Sequence, residues 1–529
     1  MVLKAYLYEM SKRKKIIVIS LISIVAIGVL TIVVAQNVIS SKIKTFLAES
    51  LPNHIKVDYE DLSFAILSGN LELEKPKLTI YGKTTDSINL TNQMSSLLIE
   101  DVGYWDYIFN DKISIESIKI NNPKIDYYHN KLVDSKDYKS SAFQKSTQNV
   151  TIGKVMITNG NLQMFDGQTD SLLLKTDKFT SSINNVVFDT SSSQDKIPIA
   201  FSNYDISFEN LFYVLNDYDN LEVRKSRISS DSCRFDGLSL YTKYSKEKLS
   251  RIIPVERDHF DLKVDAISFH QNNFGFHKDS VFYFKSPNVT FSNPALNIYR
   301  DKLVTDDATV KSMYSKMLRN LGFELSLDKV LLKNTFINYS EKVKLESSAG
   351  HITFSSLNAT IENLGNTYSK KTTIDIDALF MKSTPINVQW SFDVNNVNDH
   401  FVFKADVGKL PAKDLNSFSE PNLKVKFEGE LLKTYFTIDG NFHDSNVALK
   451  TNYDDFKVEV LEKDGKEKNK LLSAIANLFI KNDSDKEPDD FREGSKKNVE
   501  RDKTKSVFNF LWLNARAGLL NAMTGNGKK

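Results

Sequence analysis

Few residues of this chain have the type and spacing that catalysis or metal binding requires. His270 and His277 are seven apart and flank the turn-forming Gln271-Asn272-Asn273, which makes them turn and surface residues rather than metal ligands. Asp375 and Asp377 occupy alternate positions of one strand-like run and read as its wet face, not as an acid/base pair. Gly525-Asn526-Gly527-Lys528 has no flanking strand and helix and reads as a tail, not a phosphate cradle. No G-x-S-x-G elbow, P-loop or H-E-x-x-H pattern occurs. Cys233 is the single cysteine, so no disulfide can form within the chain, and a small buried apolar role is expected of it. Lys and Arg number 69 against 67 Asp and Glu, with no basic arm, so nucleic acid is not an expected partner. The expectation is a protein that is not an enzyme, with no catalytic residue, metal or cofactor.

The elements around these residues begin with an uncharged run, Ile16 to Ala35, dominated by Ile, Val and Leu. As a helix it spans roughly 30 Å, the thickness of a bilayer core. Lys4, Lys12, Arg13, Lys14 and Lys15 precede it, against Lys42 and Lys44 after it. That excess places residues 1–15 in the cytoplasm, the span at 16–36, and the body on the far side. A cleaved signal peptide is the rival reading, since Val33 and Ala35 suit a cleavage site; the run exceeds the ~7–15 residues of a signal core. Val38, Ile39, Ile43, Phe46 and Leu47 then form the apolar stripe of an amphipathic helix over 37–51, ending before Pro52.

From 52 to 461 the apolar period is two, as in Ile386, Val388, Trp390, Phe392. With 34 Phe and 21 Tyr against 20 Gly and 11 Pro, the composition suits a mainly β fold. One short helix is expected around Val310–Leu321, and loops at Lys83–Met94, Asn130–Gln148 and Asp189–Lys196. An irregular repeat runs through the body: Ile115, Ile118, Ile120, Ile125, Tyr127 has counterparts beginning at Ile152, Val223, Val264 and Leu327 with the same offsets. A step of three flips the face of a strand unless a bulge absorbs it. The gap of five holds turn residues such as Asn121-Asn122-Pro123 or Asn159-Gly160-Asn161. Each copy therefore reads as a bulged β-hairpin.

The phrase from Ile113 to Ile125 resembles the recurring phrase of the AsmA-like family of Gram-negative inner-membrane-anchored envelope proteins, relatives of the bridge-like lipid transfer proteins. The opening of the exported part is similar too, with Ile55 to Tyr59, Phe64, Gly69 to Leu73 and Pro76 to Leu78, as is the ending with Phe508 to Trp512 and Gly518 to Leu520. The resemblance covers the layout from end to end, through loose motifs. It implies an elongated β-sheet curled into an apolar groove, set in the periplasm, that carries glycerophospholipid or another envelope lipid and supports outer-membrane integrity. Other envelope proteins would complete the path to the outer membrane. Ile115, Ile152, Val264, Phe269, Phe274, Leu327, Leu332 and Trp390 are the groove candidates. The alternative is a structural or scaffolding anchor whose β body holds partners near the inner membrane.

Past Leu461 the pattern changes. Leu471, Leu472, Ile475, Leu478 and Phe479 suggest a short helix within 462–480, and 481–505 reads as a charged, solvated linker. Residues 506–529 hold an apolar helix with Phe508, Phe510, Trp512, Leu513 and Leu520 as candidates for docking on a membrane or partner. Capping of an open sheet edge is the competing role for that helix.

Overall fold

The structure, a computed structural model, describes residues 12–103, 106, 112–130, 132–133, 149–188, 199–277, 281–461 and 490–524. The expected cytoplasmic stretch up to residue 11, nearly all of the loop Asn130–Gln148, the loop Asp189–Lys196, the helix within 462–480, the first part of the charged linker, and the Gly525–Lys528 tail lie outside the described residues. The chain divides into two compact units, Met1–Glu209 and Asn210–Lys529. The class is the expected one: mainly β, with an N-terminal apolar helix, curled sheet structure and a C-terminal helix.

In the first unit, α1 (Lys12–Thr45) runs without a break and closes in a single π-turn at Phe46–Ser50. The amphipathic stretch expected over 37–51 continues the apolar helix, as its sequence suggested. The helix stops where expected: Leu51, preceding Pro52, is extended (φ −69°, ψ 148°). Its strands are β1 (Ile55–Asp58), β2 (Asp61–Ala65), β3 (Asn70–Glu74), β4 (Lys77–Tyr81), β5 (Ile88–Gln93), β6 (Ser96–Val102), β7 (Lys112–Asn121), β8 (Lys124–His129), β9 (Asn149–Asp166) and β10 (Leu172–Phe188). β5 lies inside the segment Lys83–Met94 that the sequence suggested was a loop.

β11 (Asn203–Val214) contains the boundary between the units. The second unit continues with β12 (Asp219–Ser229), β13 (Ser232–Thr242), α2 (Lys246–Ile252), β14 (Asp258–His270), β15 (Asn273–Phe276), β16 (Phe282–Ser292), β17 (Ala295–Asp301) and α3 (Tyr314–Arg319). Next come β18 (Glu324–Lys342), β19 (Gly350–Gly365), β20 (Thr372–Phe380), β21 (Thr384–Phe392), β22 (Phe401–Val407), β23 (Leu410–Pro411) and α4 (Asn416–Leu423). The last elements are β24 (Val425–Gly440), β25 (Asp444–Val460), β26 (Arg492–Glu500) and α5 (Val507–Met523). α2 and α4 had no expectation from sequence, and α3 is shorter than the helix expected over Val310–Leu321. β26 replaces part of the expected linker: a strand with charged side chains still pairs through its backbone, and β26 does so with β25.

The repeat copies are not hairpins, with one exception. β7 and β8 both run parallel to β9, with Ile120 opposite Ile157 and Ile125 opposite Leu162, so they are two halves of one crossing. The same continuity joins β14 to β15 along β16, while the copies in β9 and β18 lie each within a single strand. Only the copy at Val223 folds back, with Ile228 opposite Cys233. In the other four copies one residue takes the left-handed region and bends the strand without ending it: Asn122 (φ 48°), Asn159 (φ 52°), Gln271 (φ 50°) and Asn334 (φ 52°). Lys75 (φ 45°) and Asn293 (φ 49°) mark two further copies, Ser68–Ile80 and Ser286–Ile298, that were not recognised from sequence. The residue after each bend is buried: Pro76, Pro123, Gly160, Asn272, Pro294 and Thr335.

Neighbouring crossings bend on one line, which keeps the hydrogen bonds in step. Lys75 N–H donates to Ser95 O at 3.0 Å, Ser95 N–H to Asn121 O at 2.9 Å, and Asn122 N–H to Thr158 O at 2.9 Å. The asparagine side chains form a second ladder: Asn159 Nδ2 donates to Asn122 Oδ1 at 2.7 Å, and Asn334 Nδ2 to Asn293 Oδ1 at 2.9 Å. Asparagine suits both demands, since it tolerates φ > 0 and carries a donor and an acceptor. The step of three also keeps the face: Leu327 and Val330 share one cluster, as do Val264 and Ile267.

Candidate functional site

Because cross-strand partners share a face, the registers define rows of side chains running across the strands. One row in the second unit reads Ile228, Cys233, Phe269, Val289, Val330, Ile361, Ile374, Trp390, Phe403, Ile438, Val447. The next reads Phe235, Ile267, Phe291, Leu332, Ala359, Ile376, Val388, Ala405, Phe436, Leu449. Neither row contains a charged residue. In the first unit Phe64, Leu71, Ile99, Ile118, Val155 and Ile183 form one row, beside Leu62, Leu73, Leu97, Ile120 and Ile157. In the first unit most of these side chains are half-buried, whereas in the second about half are enclosed, including Val289, Val330, Trp390 and Ile438.

The rows place the groove candidates unevenly. Ile115 and Ile152 are cross-strand neighbours in the first unit. Phe269 and Leu332 lie half-exposed on adjacent rows of the second, and Phe274 is exposed, its ring stacked on Phe284 at 6.2 Å. Val264 and Leu327 are interior, packed in the cluster around Val289 and Val330. Trp390 does not line an open face at all: Tyr314 of α3 and Phe508 of α5 cover its ring at 5.5 and 6.4 Å. Cys233 is buried within its row, and burial pushes its thiol up to about 11, so the group behaves as an inert apolar residue.

The cover over the last strands is built from specific contacts. α3 is pinned from both sides of Asp399: Ser315 Oγ and Arg319 Nη2 each donate to Asp399 Oδ1 at 2.9 Å. α5 begins at the N-cap Ser506, whose Oγ accepts from Asn509 N–H at 3.2 Å. Just before it, Lys505 bridges Glu256 and Asp306, each at 3.2 Å. The helix then lies on β25 and β26. The fully buried Asn514 accepts from Ser445 Oγ at 2.8 Å and donates to Phe510 O at 2.9 Å. Asn521 Oδ1 accepts from Ser495 N–H at 2.9 Å. Close approach depends on glycine: a Cβ at Gly494 would sit 2.3 Å from Gly518 O and 2.6 Å from Ala522 N. Asn514 and Asn521, polar residues within an apolar helix, are therefore its attachment points to the sheet.

This packing divides the five docking candidates. Phe510 is 1 % exposed against Phe401 and belongs to the core, and Leu520 packs against the buried Val425. Leu513 is half-buried, while Phe508 and Trp512 remain 63 % and 46 % exposed. The five do not form one outer surface, because the helix spends one face on its own sheet. It covers the sheet's face rather than capping its edge.

α1 is the other candidate contact with lipid. Ser20–Glu49 has a mean hydropathy of 2.3 and no part of it is buried, so it is long and apolar enough to cross a membrane. Among the described residues no three His, Cys, Asp or Glu side chains converge as metal ligands. His277 instead faces Glu324 at 3.1 Å. Compared with known proteins, the chain matches no family model and no curated sequence.

Proposed function

We propose that this chain is a membrane-anchored envelope protein that binds or conducts lipids along the apolar face of its sheet. In this reading the N-terminus is cytoplasmic, α1 spans the inner membrane, and the β body stands in the periplasm, as in the AsmA-like proteins its sequence resembles. The carrying observation is the row from Ile228 to Ile374, the part not covered by α3 and α5, an apolar line across successive strands with no charge in it. Acyl chains gain about 0.8 kcal/mol per methylene removed from water, and such a row offers them contact without a desolvated polar group. Half-exposure of Ile118, Ile157, Phe269 and Leu332 leaves apolar surface for that contact.

Photo-crosslinking side chains at Ile118, Ile157, Phe269 and Leu332, introduced singly in the full chain in cells, test the reading. Phospholipid adducts are expected at these four positions and not at the alternate-face positions Lys119, Lys154 and Lys333. An abundant, folded protein that captures no lipid at any of the four would leave the scaffolding role as the function.

A further inference from the structure

The outward side of α5 carries one group that its surroundings do not satisfy. Phe508, Trp512 and Arg516 follow each other at intervals of four and form one row on the helix. Arg516 is half-buried, yet among the described residues it makes no hydrogen bond and no ion pair. Three arginines of this unit are matched to acids, Arg257 to Asp219, Arg300 to Asp258 and Arg319 to Asp399, and Arg501 donates to the Lys311 carbonyl. Desolvation lowers the pKa of Arg516 and no neighbouring acid opposes the shift. A guanidinium that has lost water without gaining a partner has unmet affinity for an anion.

The position of this row narrows the anion. At its start Phe508 meets Trp390 of β21, and one turn beyond Arg516, Leu519 packs in the cluster that includes Phe380 of β20. Ile374 and Ile376 of β20 and Ile386 of β21 are only partly buried and pack against the same cluster as Val507, Phe510 and Leu511 of the helix. The helix therefore presents two exposed aromatic rings and a cation unpaired among the described residues, and it packs beside partly buried apolar side chains of β20 and β21. A free anion would use the cation alone. An amphiphile would use all of them.

We infer that Arg516, with Trp512 and Phe508, receives the phosphate of an anionic phospholipid whose acyl chains lie on the apolar rows of β18 to β21. The inference rests on the lipid-binding reading above and adds which headgroup is recognised and where. The planar guanidinium can donate two parallel hydrogen bonds to phosphate oxygens. The indole suits the boundary between head and chain, being apolar with one polar edge.

The test uses the full chain reconstituted in vesicles of digalactosyldiacylglycerol, which contain no phosphate. A diazirine-tailed phosphatidylglycerol, or a diacylglycerol with the same tail, is added at equal mole fraction, and adducts are mapped by mass spectrometry. The expected result is roughly tenfold more labelling of β18 to β21 by the phosphatidylglycerol. Arg516→Gln should reduce it to the diacylglycerol level, while Arg516→Lys, which keeps the charge but not the paired donors, should retain an intermediate excess. Because Arg516 has no partner to lose, both variants should melt with the parent. An excess that survives in Arg516→Gln overturns the headgroup assignment and leaves the lipid reading standing. So does an excess abolished by millimolar inorganic phosphate, which would make the site one for the free anion. Labelling of the parent by neither probe would instead defeat the lipid reading itself.

Discussion

Adding one methyl group at Gly494 should detach the C-terminal helix. The new Cβ would meet Gly518 O at 2.3 Å and Ala522 N at 2.6 Å, both backbone atoms with no rotamer to yield. Restoring van der Waals distance requires α5 to retreat by roughly 1 Å, which forfeits about a quarter to a half of each dispersion contact along its buried face. That face holds Val507, Phe510, Leu511, Ala522 and Met523. Overpacking of this kind costs about 1–3 kcal/mol, and full release of the helix would cost more, since Phe510 alone is worth about 1.5–3 kcal/mol buried. Gly322→Ala is the control, because nothing lies within 4 Å of a Cβ there. Thermal unfolding of the full chain by circular dichroism, with binding of an apolar dye as a second readout, separates the outcomes. Gly494→Ala should melt several degrees lower and bind more dye, as Trp390 and Phe401 lose their cover. A melting curve and dye signal indistinguishable from Gly322→Ala would refute the account of how α5 is held.

The bend line and the Glu256 cluster make two further tests. Asn159→Val should cost about 1–2 kcal/mol, because a β-branched residue resists φ 52° and the bond to Asn122 is lost; Asn159→Gly should lose only the bond. Urea unfolding of the two variants checks this ordering, and equal losses would show that the left-handed bend is not what asparagine supplies. Glu256 is nearly inaccessible; burial pushes its pKa up, but hydrogen bonds and charge from Lys302 and Lys505 outweigh this and leave it below its ordinary 4.5. A depressed carboxylate contributes stability that is present above its unfolded pKa and lost as pH falls through its folded one. The parent should thus lose melting temperature progressively below about pH 4.5, and Glu256→Gln should lose on the order of 3 kcal/mol at neutral pH and be flatter in that acid range. Identical acid profiles for both would rule out this carboxylate as the source.

What sequence alone determined was the local alphabet of the fold. A twenty-residue run without charge can satisfy its backbone in a bilayer only as a helix, so α1 was legible. An apolar period of two can bury one face only as strand, so the β body was legible as well. The repeat offsets carried more than they first disclosed. Asn-Pro and Asn-Gly signal a reversal when a strand has no neighbours, and from sequence each copy became a hairpin. With adjacent crossings bent at the same place, a single left-handed residue deflects the strand and the ladder goes on, as Asn122 beside Asn159 does. That choice belongs to the neighbours, not to the segment. The same limit applied to α5. Its apolar side was plain, but whether that side met a membrane, a sheet edge or a sheet face was decided by Gly494 and Ser445, tens of residues away on β25 and β26. Trp390 shows the cost of reading faces without cover: its strand and its row were legible, and only the docking of α3 and α5 made it core instead of open surface. Arg516 is a charge inside an apolar helix by sequence, yet that it is half-buried with no acid beside it among the described residues is a fact of tertiary packing, because the groups that could have paired with it come from distant parts of the chain.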